Sequence, residues 1–177
     1  DAVGNYFVAA EQDIFVIGQG DKIDDGWLGA SIYQKHNGDD GIYAPPPVEL
    51  VAEQKTGSFV RQQILGGGIS AAHDIADGGL AVAIAEMAMQ SEFGAKIAVP
   101  KTGNLHGWAF GEDQARFVVT TANGQTLIGA AKEAGIEITK LGMVSERREL
   151  KFGDNDTISV QDLNAVFESC IPALMTD

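Results

Sequence analysis

An α+β domain, with helices packed on a mixed β-sheet, is the fold that the sequence predicts, and three observations predict it. Strand-like and helix-like stretches alternate along most of the chain. Two strand-like runs flank the turn Gly153-Asp154-Asn155-Asp156 with no helix between them, which makes a hairpin. The 177 residues are 45% hydrophobic, enough to bury one sizeable core, and no repeat, linker or low-complexity tract divides them. Residues 1–177 are therefore read as a single domain. The chain opens Asp1-Ala2-Val3-Gly4 without an initiator methionine, as a domain cut from a larger chain would.

Taken in order, residues 13–18 form a β-branched and aromatic run bounded by turn residues, which predicts a strand buried on both faces. Residues 6–10 are a candidate neighbour for it. Residues 18–26 read as a polar, glycine-rich loop, and residues 27–35 as a short helix leaving that loop. Pro45-Pro46-Pro47 stiffens the entry to a helix over 48–55, and a second helix, 59–65, stops at Gly66-Gly67-Gly68. Residues 69–73 make the next strand, and the nearly all-apolar run 80–89 is a helix buried on most sides, its methionines and alanines packing the core. A half-buried strand at 95–99 is broken at Pro100. A strand at 116–121, an amphipathic helix at 125–134 ended by Gly135, and a strand pair or one bent strand at 136–144 follow. After the hairpin, residues 160–174 close the chain as a helix.

Charge narrows the function. With 25 acidic against 12 basic residues the net charge is −13, which repels nucleic acid and anionic lipid, so neither is expected as a partner. No apolar run approaches the roughly 18 residues that a membrane-spanning helix needs, and no export signal precedes the first strand. One cysteine, Cys170, permits no internal disulfide and fits a reducing cytoplasm; it is read as a packed helix residue. His36 and His106 lie in polar contexts without a second ligand at metal spacing and are read as solvated surface histidines.

The chemistry concentrates between residues 66 and 80. Three glycines, a short strand, Asp74 and Asp77 on either side of Ile75-Ala76, and then Gly78-Gly79 lead into the alanine-rich helix. A strand-to-helix junction of this kind binds anions, because the first helical amides are unpaired, the dipole end is positive, and glycine lets a phosphate approach the backbone. Gly66, Gly67, Gly68, Asp77, Gly78 and Gly79 are thus candidate phosphate- or nucleotide-binding residues. Asp74 and Asp77 have two available roles, capping the helix or holding a Mg²⁺ that bridges to phosphate. Further on, Glu112-Asp113-Gln114 with Arg116 forms a polar cluster beside a strand. Its alternatives are a charged turn, or a site in which Glu112 or Asp113 faces the same edge as Asp74, which makes Glu112 a further candidate phosphate- or nucleotide-binding residue.

The motifs His73-Asp74-Ile75-Ala76-Asp77-Gly78-Gly79-Leu80 and Phe110-Gly111-Glu112-Asp113-Gln114-Ala115-Arg116 carry a resemblance, with Trp27-Leu28-Gly29-Ala30-Ser31-Ile32-Tyr33, Pro46-Pro47-Val48-Glu49-Leu50 and Gly57-Ser58-Phe59-Val60-Arg61 in the same order. Together they resemble the C-terminal domain of phosphoribosylformylglycinamidine synthases, in the aminoimidazole-ribotide-synthase-like superfamily. The resemblance implies a ligase of purine biosynthesis that converts formylglycinamide ribonucleotide, ATP and glutamine into formylglycinamidine ribonucleotide, ADP, phosphate and glutamate. It further implies ATP and Mg²⁺ as cofactors and a metal-binding role for Asp74. The implied partners are an ATP-binding domain of the same chain, a glutaminase subunit and a small adaptor subunit. Where such sequences often carry Ser, this chain has Ala76, so any hydroxyl contact to a nucleotide is absent there. Relatives implied by the same superfamily include aminoimidazole ribotide synthase, thiamine-phosphate kinase and selenophosphate synthetase. An interaction domain without a site is the remaining alternative.

Overall fold

A computed structural model describes residues 2–18, 27–38 and 44–175. Its centre is a seven-stranded mixed sheet. In chain order the strands are β1 (Asp13–Ile17), β2 (Ala71–Asp74), β3 (Gly94–Ile97), β4 (Phe117–Thr121), β5 (Ile138–Ser145), β6 (Glu149–Phe152) and β7 (Asp156–Ser159). They lie in the spatial order β2-β4-β1-β5-β3-β6-β7, antiparallel throughout except that β3 runs parallel to β6. The α+β fold class expected from the sequence is the one observed.

Strand β1 sits between β4 and β5 and is buried on both faces, because alternate side chains serve two different cores. Ile14 and Val16 pack on one side with Leu80, Ile84, Met87 and Trp108. Phe15 and Ile17 pack on the other with Phe59, Val60, Leu127 and Ile136. The first core is covered by helices α3 (Gly79–Met89) and α6 (Val160–Met175), the second by α2 (Leu50–Leu65) and α5 (Gly124–Ala134). Two short helices, α1 (Ile32–His36) and α4 (Leu105–Phe110), complete the set among the described residues.

Several expectations are corrected. Residues 6–10 do not pair with β1; Gly4 instead bridges Ala71, and Phe7 is buried with its amide donating to the Met87 carbonyl. The helix expected from residue 27 starts only at Ile32, where the Ser31 hydroxyl accepts the Gln34 amide as a cap. Helices 48–55 and 59–65 are one continuous helix, since Gly57 occupies an ordinary helical position with open space around it. Helix α4 was not expected at all. Residues 138–145 form one bent strand with a register shift opposite Ile14 and Phe15. Cys170 is exposed rather than packed, because α6 buries Val160 and packs Leu163 and leaves the later turns to solvent. Most of the 18–26 loop lies outside the described residues.

Candidate functional site

The site grows from the end of β2. This strand pairs with β4 through Asp74↔Phe117, and the Ile75 amide donates to the Arg116 carbonyl at 2.9 Å, which fixes where the chain leaves the sheet. Asp74 then stands in solvent, its side chain 71% exposed. Three residues past Ile75 the backbone turns through Gly78 and Gly79, both left-handed at φ 80° and 74°. At Gly79 the requirement is also steric, for a Cβ there would lie 2.6–2.8 Å from the Phe110 and Gly111 backbone. Helix α3 therefore begins in direct contact with the end of α4.

Glu112, just past α4, closes this junction. One carboxylate oxygen, Oε1, accepts the Gly78 amide at 2.9 Å and the Ile32 amide at 2.8 Å. Asp113 accepts the Trp27 amide at 3.1 Å, while the Glu112 amide donates to the Trp27 carbonyl at 3.1 Å. Arg116 is buried and holds the same loop from behind: it donates to the Gly111 carbonyl at 2.6 Å and the Asp113 carbonyl at 3.2 Å, and its guanidinium lies 3.3 Å from the Asp113 carboxylate. Burial lowers its pKa from the ordinary arginine value, and the Asp113 charge opposes that shift. Segments around residues 27–32, 74–79 and 110–116 thus meet in one place, although the sequence separates them by up to 86 positions.

Asp74, Asp77, Gly78, Gly79 and Glu112 are brought together by these contacts and by the turn itself. Neither aspartate caps α3: its N-cap is Gly78, with no side-chain cap bond, and the buried Gly78 amide is satisfied by Glu112. Glu112 is consequently a holder of the turn, and its carboxylate offers no donor to a phosphate. The glycine triplet behaves differently. The Gly66, Gly67 and Gly68 amides donate to the carbonyls of Gln62, Ile64 and Gln63 at 2.9, 3.1 and 2.8 Å, so all three are spent on ending α2. Their helix-stop role has geometric support, and they offer no free amide for an anion. His36 is exposed, as expected; His106 is exposed too, but its Nδ1 is 2.6 Å from the Tyr33 hydroxyl, and Tyr33 stacks on Phe110. Ala76 faces solvent at the turn.

Sequence reasoning passed over His73. Its ring is only 14% exposed, with Nε2 3.1 Å from Glu86 Oε2 and Nδ1 2.7 Å from the Asp74 carbonyl oxygen. The signal available was a histidine next to the candidate metal ligand, one α-helix away from a glutamate inside an otherwise apolar run. Among the described residues no three His, Cys, Asp or Glu side chains gather as a self-sufficient metal site, and no helix is long and apolar enough to cross a membrane.

A mixed sheet with α3 rising from an acid-glycine turn, latched by the Gly111-Glu112-Asp113 loop, defines a family: residues 10–155 match the AIR synthase related protein, C-terminal domain, and the chain belongs to that family. Among curated proteins it is 44% identical over 172 residues to the phosphoribosylformylglycinamidine synthase subunit PurL of Azorhizobium caulinodans, covering 96% of this chain and 23% of that protein. The same-named subunit of Methylocella silvestris is 42% identical over 153 residues, covering 85% of this chain and 21% of that one. The chain thus spans less than a quarter of the length of these relatives. Among solved structures, T. maritima PurL complexed with FGAR superimposes with a TM-score of 0.76 at 19% identity, covering 91% of this chain and 29% of that one. Thiamine-monophosphate kinase from Stenotrophomonas maltophilia gives a TM-score of 0.58 at 16% identity, covering 85% and 52%. At such identities the likeness establishes the fold.

Proposed function

We propose that this chain is the C-terminal domain of a phosphoribosylformylglycinamidine synthase, the ATP-dependent ligase of purine biosynthesis that makes formylglycinamidine ribonucleotide from formylglycinamide ribonucleotide with ATP and glutamine. The observation that carries the reading is the 44% identity maintained over 96% of the chain with a subunit of that name. In this reading the enzyme works in the cytoplasm and takes ammonia from a separate glutaminase subunit, with a small adaptor subunit completing the assembly. A T. maritima assembly called PurLQS shares the fold, with a TM-score of 0.67.

The domain's contribution is an anion-facing edge. The Gly78-Gly79 turn starts α3, and the Leu80 and Ala81 amides, in its first turn, have no carbonyl partner among the described residues. These amides and the positive end of the helix dipole suit a phosphate group. Asp74 fits a Mg²⁺ whose remaining ligands are phosphate oxygens and water, since that ion commonly takes only one or two protein carboxylates. When bound, the ion would offset the negative charge of the phosphates; Asp77 lies in the same turn as a second acidic group. Gly66, Gly67 and Gly68 stand outside the binding edge in this reading, and Glu112 positions the turn.

A domain exchange tests the function. The matching segment of the A. caulinodans subunit is replaced by this chain, and the hybrid is placed in a purine-requiring host lacking its own synthase. Growth without added purine is expected. A hybrid that accumulates as folded protein yet has no synthase activity contradicts the proposal.

A further inference from the structure

We infer that His73 is the positioning residue for Asp74, with Glu86 steadying the imidazole so that its Nδ1 pins the main-chain carbonyl from which the Asp74 carboxylate projects. The inference rests on the reading of Asp74 as a metal ligand and adds how that ligand is held.

The contacts point in one direction. A carbonyl oxygen only accepts, so the 2.7 Å contact between Nδ1 and the Asp74 oxygen requires the hydrogen to sit on Nδ1. On the far side of the ring, Nε2 meets Glu86 Oε2 at 3.1 Å. Glu86 belongs to α3, which packs against β2, and His73 pairs across the sheet with the fully buried Val118. The imidazole is therefore clamped between helix and strand, while its neighbour Asp74 stays 71% exposed with Oδ1 3.6 Å from Nδ1. Groups that hold a metal ligand in place by hydrogen bonds bear on the metal itself, and loss of such outer partners typically weakens metal binding by about 10–100-fold.

The test compares the 177-residue chain with Glu86→Gln, Glu86→Leu and Asp74→Asn, using Mn²⁺–ADP as the probe for affinity and long-range ¹H–¹⁵N spectra for the ring. Glu86 is 38% exposed, so its replacements leave the core intact. The expected ring state has a protonated Nδ1. Glu86→Leu is expected to lower Mn²⁺–ADP affinity about tenfold, while Glu86→Gln, whose amide carries both a donor and an acceptor for Nε2, keeps it within about twofold. An unprotonated Nδ1 overturns the assignment. So does a Glu86→Leu chain that binds like wild type while Asp74→Asn binds poorly. If Asp74→Asn binds like wild type, the metal reading itself fails and the role of His73 goes with it.

Discussion

The Glu112 carboxylate accepts the Gly78 amide at 2.9 Å across 34 residues of sequence, and the same oxygen takes the Ile32 amide at 2.8 Å. One side chain thereby ties the start of α3 to the start of α1. Hydrogen bonds to a charged acceptor contribute roughly 1.5–3 kcal/mol each, but the exposed Ile32 can turn to water when Glu112 is lost. Glu112→Ala is therefore expected to cost about 2–3 kcal/mol in a urea melt. Glu112→Gln keeps the accepting oxygen and is expected to cost about half as much. Equal losses for the two variants would show that the oxygen is not what matters.

Arg116 lies behind the same loop with 6% of its surface exposed, against 24% for its partner Asp113. Removing one member of a largely buried pair leaves the other without its counter-charge, at a cost of roughly 3–5 kcal/mol when both are fully buried. Since Asp113 keeps some contact with water, Arg116→Met is expected to cost about 2–4 kcal/mol. Arg116→Lys is expected to recover little, because a single ammonium cannot span the Gly111 and Asp113 carbonyls together. Thermal melts of both variants check this, and a lysine variant as stable as wild type would contradict it.

The two groups of glycines are expected to separate. Gly67 has φ +70° with open space where a Cβ would go, so Gly67→Ala is expected to cost only the left-handed backbone penalty, about 1 kcal/mol, and to leave nucleotide affinity unchanged. Gly79 has φ +74° and the Phe110 backbone against it, so Gly79→Ala is expected to displace α4 and lose both stability and binding. A Gly67→Ala chain of normal stability but weakened nucleotide binding would restore the triplet as a phosphate cradle.

Much of the fold was legible because burial leaves a period in the sequence. Ile14 and Val16 against Phe15 and Ile17 read as a two-faced strand, and the hairpin turn at residues 153–156 announced β6 and β7. Gly57 read as a break because glycine lowers helix propensity by about 1 kcal/mol, yet packing of Phe59 and Val60 carries α2 through it. Helix α4 is six residues long, too short to show a period. The parallel pairing of β3 with β6 depends on tertiary packing and leaves no local trace. At the site, the acid-glycine turn was visible as composition. The work of Glu112 was not, because its two partners lie 34 and 80 residues away.

Because the chain spans only 23% of its A. caulinodans relative, the isolated 177 residues are expected to fold cooperatively and yet to release no ADP when given formylglycinamide ribonucleotide, ATP and an ammonia source. A coupled ADP assay on protein free of host enzymes checks this. Turnover above background would mean that the reaction needs no other domain.

Calorimetric titration of the chain with Mg²⁺–ADP, wild type beside Asp74→Asn, bears most directly on the proposed site. The structure gives Asp74 no capping bond and leaves its carboxylate in solvent, so the asparagine variant is expected to melt like wild type and to bind at least about tenfold more weakly, roughly 1.4 kcal/mol. Equal affinity in the two proteins, or no binding by wild type, would contradict a Mg²⁺–nucleotide site at the end of β2.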